Sequence, residues 1–326
     1  MSLGRTLLMV FRWGIFLLAC VFLYTRLAGP KGIVASVGSD LWPSASYLLV
    51  LFTMVGLLML VNWLLEAYKW RILMRPVEQI GIKRAFVATI AGTSVGLVTI
   101  NRTGEFLGRV LFLSPENRVR GSFATALGGI AQFVITLVFG GIGLLALIVF
   151  AYPLPWPSGW LSWMLGSLTT LITIVALALY LQPALFRQML LSLPVLKRLE
   201  RASQVLGQQD HNVLLLVLLL SGARYAVFGV QFVLLLKGLG SGLSLPAAVL
   251  AVPVIYLIAT LIPSVMLTEL GVRGSVAVAV LVPLGAQAPA VLLATTCLWT
   301  INVALPAIAG SVILLMARIR TKQAGV

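Results

Sequence analysis

The chain has 326 residues, 60% of them hydrophobic and 10% charged, where an ordinary soluble domain carries roughly a quarter charged residues. A mean hydropathy of +1.09 leaves no water-facing surface for a protein of this size, so a soluble enzyme is excluded and an all-α polytopic membrane protein is expected. The charges are lopsided, 23 Lys or Arg against 8 Asp or Glu, and their positions matter because a charge held in lipid is expensive and tends to have a function.

Cys20 and Cys297 both fall in apolar runs, and His211 is the single histidine. That composition argues against a disulfide framework, a zinc site or Ser-His catalysis, so no metal and no cofactor is expected. There is no P-loop sequence either, so nothing points to ATP.

In chain order, the apolar runs of about 20 residues that a span requires are 7–27, 45–65, 122–150, 159–181, 212–236 and 289–316. The run 7–27 lacks a small-residue cleavage site and reads as a retained, peripheral first span. Two further runs are interrupted. Residues 85–113 break at Asn101-Arg102-Thr103-Gly104-Glu105, and residues 245–281 break at Pro263-Ser264 before meeting Glu269 and Arg273. Their halves are short for spans and typical of re-entrant hairpins, although two short crossings would serve the same topology. The stretch 184–206 reads as a basic amphipathic segment on the cytoplasmic surface, or as a plain solvated connector.

The positive-inside rule orders these pieces. With the N-terminus cytoplasmic and both broken runs returning to their own side, fifteen basic residues fall inside, among them Lys69, Arg71, Arg75, Arg84, Arg118 and Arg120. Only Arg26, Lys31 and Lys237 fall outside. The sequence is therefore expected to form one membrane domain over 1–326, with about six full spans and two hairpins. Repeat one covers 45–150 with hairpin 85–113. Residues 159–211 connect it to repeat two, 212–316, with hairpin 245–281. The two repeats would be inverted in topology, an architecture in which broken segments of both halves meet near the midplane.

Five basic residues, Arg12, Arg102, Arg109, Arg224 and Arg273, and two acids, Glu105 and Glu269, remain at membrane depth. Four of these form a repeated Glu-x-x-x-Arg, Glu105 to Arg109 and Glu269 to Arg273, one copy in each hairpin. On a helix, residues four apart share a face, and Glu before Arg is the favourable order. Each pair follows a break, at Asn101 to Gly104 and at Pro263-Ser264, with Thr103 and Thr268 placed to cap the following half-helix and Gly271 inside the second motif. Guanidinium groups beside a helix start suit a phosphate; the plainer alternative is that the ion pairs only pin the hairpin tips. Arg224 sits mid-span, where it can face a cavity or pair with Glu105 or Glu269. Asn62, Gln132, Gln231 and Asn302 read as interhelical hydrogen-bonding residues, and Arg12 as a residue reaching back to the inner surface. Gly140-Gly141 reads as close helix packing.

The segments Arg102-Thr103-Gly104-Glu105-Phe106-Leu107 and Ile262-Pro263-Ser264, with Leu270-Gly271-Val272-Arg273 and Lys69-Trp70-Arg71-Ile72-Leu73, resemble the signature regions of the lysylphosphatidylglycerol synthase transmembrane, flippase-like family. The chain departs from that pattern at Asn101, where proline is usual. It departs also at Met266-Leu267-Thr268-Glu269, where glycines are usual, and at Gly274, where an acid often follows the arginine. The resemblance implies a multi-spanning protein that moves lipids between leaflets. The expected function is a lipid translocase for an anionic phospholipid or polyprenyl-phosphate-type lipid, with protonation of Glu105 or Glu269 as a candidate coupling step. The alternatives are an intramembrane enzyme acting on lipid headgroups and a secondary transporter of a small organic anion. The expected partners are membrane lipids with anionic headgroups and no nucleic acid, and a homo-oligomer is admitted. The expected location is a bacterial cytoplasmic membrane with both termini inside.

Overall fold

The computed structural model describes residues 44–97, 99, 102–154, 159–192, 200–264 and 266–317. The first expected span, 7–27, lies outside them, as do Arg12 and Asn101. Among the described residues the fold is helical, with no strand.

Among the described residues, five helical stretches are long and apolar enough to cross a membrane. Helix α1 (Ala45–Leu73) starts on Ser44, whose hydroxyl accepts from the Tyr47 N–H at 3.4 Å, and it shows Leu49, Val50 and Leu57 on its outer face. It runs eight residues beyond its expected end, because Trp70, Ile72 and Leu73 after the charged stretch are buried and keep the helix packed. The other expected spans keep their bounds to within a few residues. They are α4 (Arg118–Val149), α5 (Trp160–Leu181), α8 (His211–Gly238) and the stretch of α11 (Ala288–Trp299), a π-helical turn (Thr300–Ala304) and α12 (Leu305–Met316).

The interrupted runs are interrupted helices. The first is α2 (Ile82–Gly96) and α3 (Gly104–Val110), the second α9 (Leu245–Leu261) and α10 (Met266–Leu281). At 1.5 Å per residue α3 is about 10 Å long, against a hydrocarbon core of about 30 Å. In both, the two ends of the interrupted run come together. Glu78, before α2, accepts from the Ser114 N–H at 2.9 Å and from Asn117 Nδ2 at 3.2 Å, and pairs with Arg84 at 3.0 Å. Arg84 in turn donates to the Phe112 carbonyl after α3. At the second, the Gln287 N–H donates to the Ser241 carbonyl at 2.9 Å. The stretch 184–206 contains two short helices, α6 (Pro183–Leu191) and α7 (Glu200–Gly207), and α7 buries Ser203, Val205 and Leu206 against α4.

The halves interlock. α1 lies along α8, α2 packs on α12, and α9 packs on α4. Small residues make these approaches close, as expected where lipid supplies no hydrophobic drive between helices. A Cβ on Gly140 would sit 2.6 Å from Leu257 Cβ, and one on Gly143 would sit 2.6 Å from the Leu250 carbonyl. Gly310 of α12 meets the Ile90 backbone of α2 in the same manner. Gly141 instead faces Thr169 of the outer helix α5.

Candidate functional site

The site is built on α1, α3, α8 and α10, which bring their charges to one cavity. Asn62, Glu66 and Lys69 follow one another at helical spacing on α1. Glu66 is 4% exposed and forms the hub. Its Oε1 accepts from Arg109 Nη1 at 2.6 Å; its Oε2 accepts from Arg224 Nη1 at 2.7 Å and Lys69 Nζ at 2.8 Å. Lys69 completes its shell with the Gly128 carbonyl and Ser221 Oγ, each at 3.3 Å. An ion taken from water at this depth costs several kcal/mol even after relaxation, roughly, unless partners of this quality surround it.

Arg109 bridges two carboxylates, giving Nη2 to Glu105 Oε2 at 3.1 Å, and Arg102 pairs with the other oxygen of Glu105. The Glu-x-x-x-Arg spacing thus forms its ion pair in the first interrupted run, and it does so in the second, where Arg273 Nη2 lies 2.7 Å from Glu269 Oε1. Arg224 pairs with neither expected acid. It reaches Glu66, donates Nε to Asn62 Oδ1 at 2.9 Å and lies 5.5 Å from the Trp63 ring centre. Asn62 Nδ2 in turn donates to Asn302 Oδ1 at 3.3 Å, so the π turn of the last span joins the network.

The depth of α3 is set by glycines. A Cβ on Gly108 would lie 2.7 Å from Gly92 Cα, and one on Gly92 would lie 2.8 Å from Arg109 Cγ. Gly104 is buried for the same reason, its Cβ position being 2.6 Å from the Val95 carbonyl. Its N–H is capped by Thr99 Oγ1 at 2.7 Å, and Thr103 makes no side-chain cap. Arg102 holds a left-handed φ of 60°, a conformation that costs a non-glycine residue about 1–3 kcal/mol and concentrates at functional sites.

These groups border a cavity of about 530 Å³, lined by Glu66, Lys69, Arg102, Glu105, Arg109, Arg224 and Arg273 together with Gln132, Tyr225, Phe228 and Tyr256. Tyr225 and Tyr256 meet edge to face at 5.6 Å and form an aromatic part of the lining. Nε of Arg102, Nε of Arg109 and Oε1 of Gln132 are buried without a hydrogen-bond partner. Among the described residues, no group of three or more His, Cys, Asp or Glu side chains is placed to hold a metal.

The family model described as the lysylphosphatidylglycerol synthase TM region matches residues 5–310. The chain belongs to this family. Nothing matches among curated proteins or solved structures. Family membership and the five apolar helices make the chain an integral membrane protein related to lipid handling.

The candidate residues from the sequence converge unevenly. Arg102, Glu105, Arg109 and Arg273 line the cavity with Arg224, and Glu269 stands behind Arg273. Gly104 acts in helix packing. Pro263 and Gly271 are exposed and Ser264 is half-buried, all three outside the cavity lining. Sequence reasoning missed Glu66 and placed Lys69 on the cytoplasmic surface, whereas Lys69 is 2% exposed and borders the cavity. The signal was present: Asn62, Glu66 and Lys69 fall at i, i+4 and i+7, one face of a helix. Gln231 behaves as expected, donating to the Val55 carbonyl at 2.8 Å between α8 and α1, while Gln132 faces the cavity.

Proposed function

We propose that the protein is a lipid translocase, which admits the headgroup of an anionic lipid to the cavity while the acyl or prenyl chains stay in the bilayer. The observation that carries this reading is the cavity itself, a space of about 530 Å³ inside a lipid-facing bundle, bordered by five cationic side chains. Family membership supports it. Guanidinium groups match phosphate oxygens in pairs, and four of the five cations are arginines.

In this proposal the interrupted helices are re-entrant hairpins, a reading supported by the brevity of α3 and the joined ends of each run. The exchange of contacts between halves, α2 on α12 and α9 on α4, supports an inverted repeat. Rocking of one half against the other would then alternate exposure of the cavity. The orientation proposed is both termini cytoplasmic, in a bacterial inner membrane. A headgroup-modifying enzyme would need a carboxylate free to carry a proton; Glu66, Glu105 and Glu269 are each held by at least one guanidinium.

The test is reconstitution into liposomes with a fluorescent anionic lipid whose outer-leaflet pool is bleached by a membrane-impermeant reductant. Bleaching of the inner pool should be faster than in protein-free vesicles. Arg224→Gln should slow it roughly 10- to 100-fold, the loss of a charge-assisted hydrogen bond. Equal rates with and without protein, for every anionic headgroup tried, overturn the reading.

A further inference from the structure

The charge ledger of the cavity is not balanced. Among the described residues, Lys69, Arg102, Arg109, Arg224 and Arg273 meet Glu66, Glu105 and Glu269, a surplus of two positive charges. Arg109, Lys69, Glu66 and Glu269 are 4%, 2%, 4% and 5% exposed, and the side chains of Arg102, Arg224 and Arg273 are 23%, 20% and 29% exposed, so the cluster is largely withdrawn from water. The acids are also shared. Glu66 serves three cations and Glu105 two, so no guanidinium among Arg102, Arg109 and Arg224 has a carboxylate to itself.

Resting on the translocase reading, we propose that the cavity selects a phosphomonoester headgroup carrying two negative charges over a phosphodiester carrying one. A dianion brings the ledger to zero, and a terminal phosphate offers three oxygens to Arg102, Arg109 and Arg224. A diester leaves one buried charge uncompensated and has two free oxygens. A lipid phosphomonoester and free phosphate share this chemistry, and the test separates them.

Binding is measured by thermal stabilisation of the detergent-solubilised full chain at pH 7, where a phosphomonoester, with its second ionisation near about 6, is mostly dianionic. The probes are a single-chain acylglycerol phosphate, the single-chain phosphatidylglycerol of equal tail length, and inorganic phosphate. The expected result is apparent affinity for the acylglycerol phosphate roughly tenfold or more above the diester. Inorganic phosphate should bind only at much higher concentration, because it lacks the tail. If inorganic phosphate binds as tightly as the lipid monoester, dianion selection stands and the lipid reading falls. Monoester and diester binding within about twofold of each other sink the selectivity and leave the translocase reading intact. Failure of every probe to bind sinks both.

Charge variants separate net charge from a single contact. Arg273→Gln, at a side chain 29% exposed, lowers the surplus to one and should shrink the monoester preference. Adding Glu269→Gln restores the surplus of two and should restore the preference. A double variant that stays as unselective as Arg273→Gln alone overturns the charge-balance proposal.

Discussion

Glu66 carries three cations on two oxygens, so its removal does more than delete one ion pair. Glu66→Ala leaves Lys69, Arg109 and Arg224 facing one another without their common anion, and breaking a buried pair from one side costs about 3–5 kcal/mol. Thermal unfolding in detergent should show a large fall in midpoint. Lys69→Met removes one cation of three and leaves Glu66 with both arginines, so its cost should be smaller, about 1–3 kcal/mol. Equal destabilisation by the two variants would show that Glu66 is not the hub. The contrast also explains what the sequence concealed. The repeated Glu-x-x-x-Arg was legible because i, i+4 spacing needs only local geometry. Glu66 and Lys69 close an apolar run, a place where charge ordinarily marks the water boundary. Only the burial of Trp70, Ile72 and Leu73 beyond them carries the helix, and its charges, inward.

Helix breaks were legible at the element scale, since Asn101-Arg102-Thr103-Gly104 and Pro263-Ser264 interrupt otherwise apolar runs. The Thr99 cap, the seven-residue length of α3 and the π turn that presents Asn302 were not, because each depends on a partner distant in sequence or on local backbone strain. Two predictions belong here. Gly104→Ala must push a methyl group against the Val95 carbonyl, which cannot rotate away, and should destabilise by about 1–3 kcal/mol. Gly56→Ala in α1, with open space at its Cβ, should be neutral or stabilising, up to about 1 kcal/mol from helix propensity. Thermal midpoints of the two variants give the comparison.

The clasp at the ends of the first interrupted run supplies a pH dependence. Burial works against ionisation of Glu78, but the Ser114 N–H, the Asn117 amide and Arg84 outweigh it and hold its carboxyl below the usual carboxylate range. A group with a lowered folded-state pKa stabilises fully above its unfolded value and loses that contribution as pH falls through the folded one. Limited proteolysis between α2 and α4 should therefore accelerate below about pH 4, the ordinary carboxylate range. In Glu78→Gln it should be faster already at neutral pH and flatter with pH. An unchanged pH profile in that variant would assign the acid lability to another group.

At the scale of the whole molecule, the excess of basic residues divides into a site and an orientation. Lys69 belongs to the site, which leaves fourteen of the fifteen residues assigned to the inner side and three to the outer. Several of the fourteen also satisfy backbone carbonyls at element ends. Arg71 donates to Ile80, Arg118 to Leu111 and Leu113, and Arg120 to Pro76, which ties the loop before α2 and the start of α4 into one basic layer. Loops at the other pole, Gly240 to Leu243 and Val282 to Gln287, carry no charge. If the layer is cytoplasmic, Arg75→Cys in a chain without Cys20 and Cys297 should resist an impermeant maleimide in intact cells and react after permeabilisation. Gly240→Cys, exposed at the opposite pole, should react in intact cells. Ser114→Cys and Gln287→Cys then test the paired hairpin ends, the first following Arg75 and the second following Gly240. Labelling of Ser114→Cys from outside would mean that the segment from α2 to α3 crosses the bilayer once, which would overturn the proposed inverted repeat and, with it, the proposed alternating exposure.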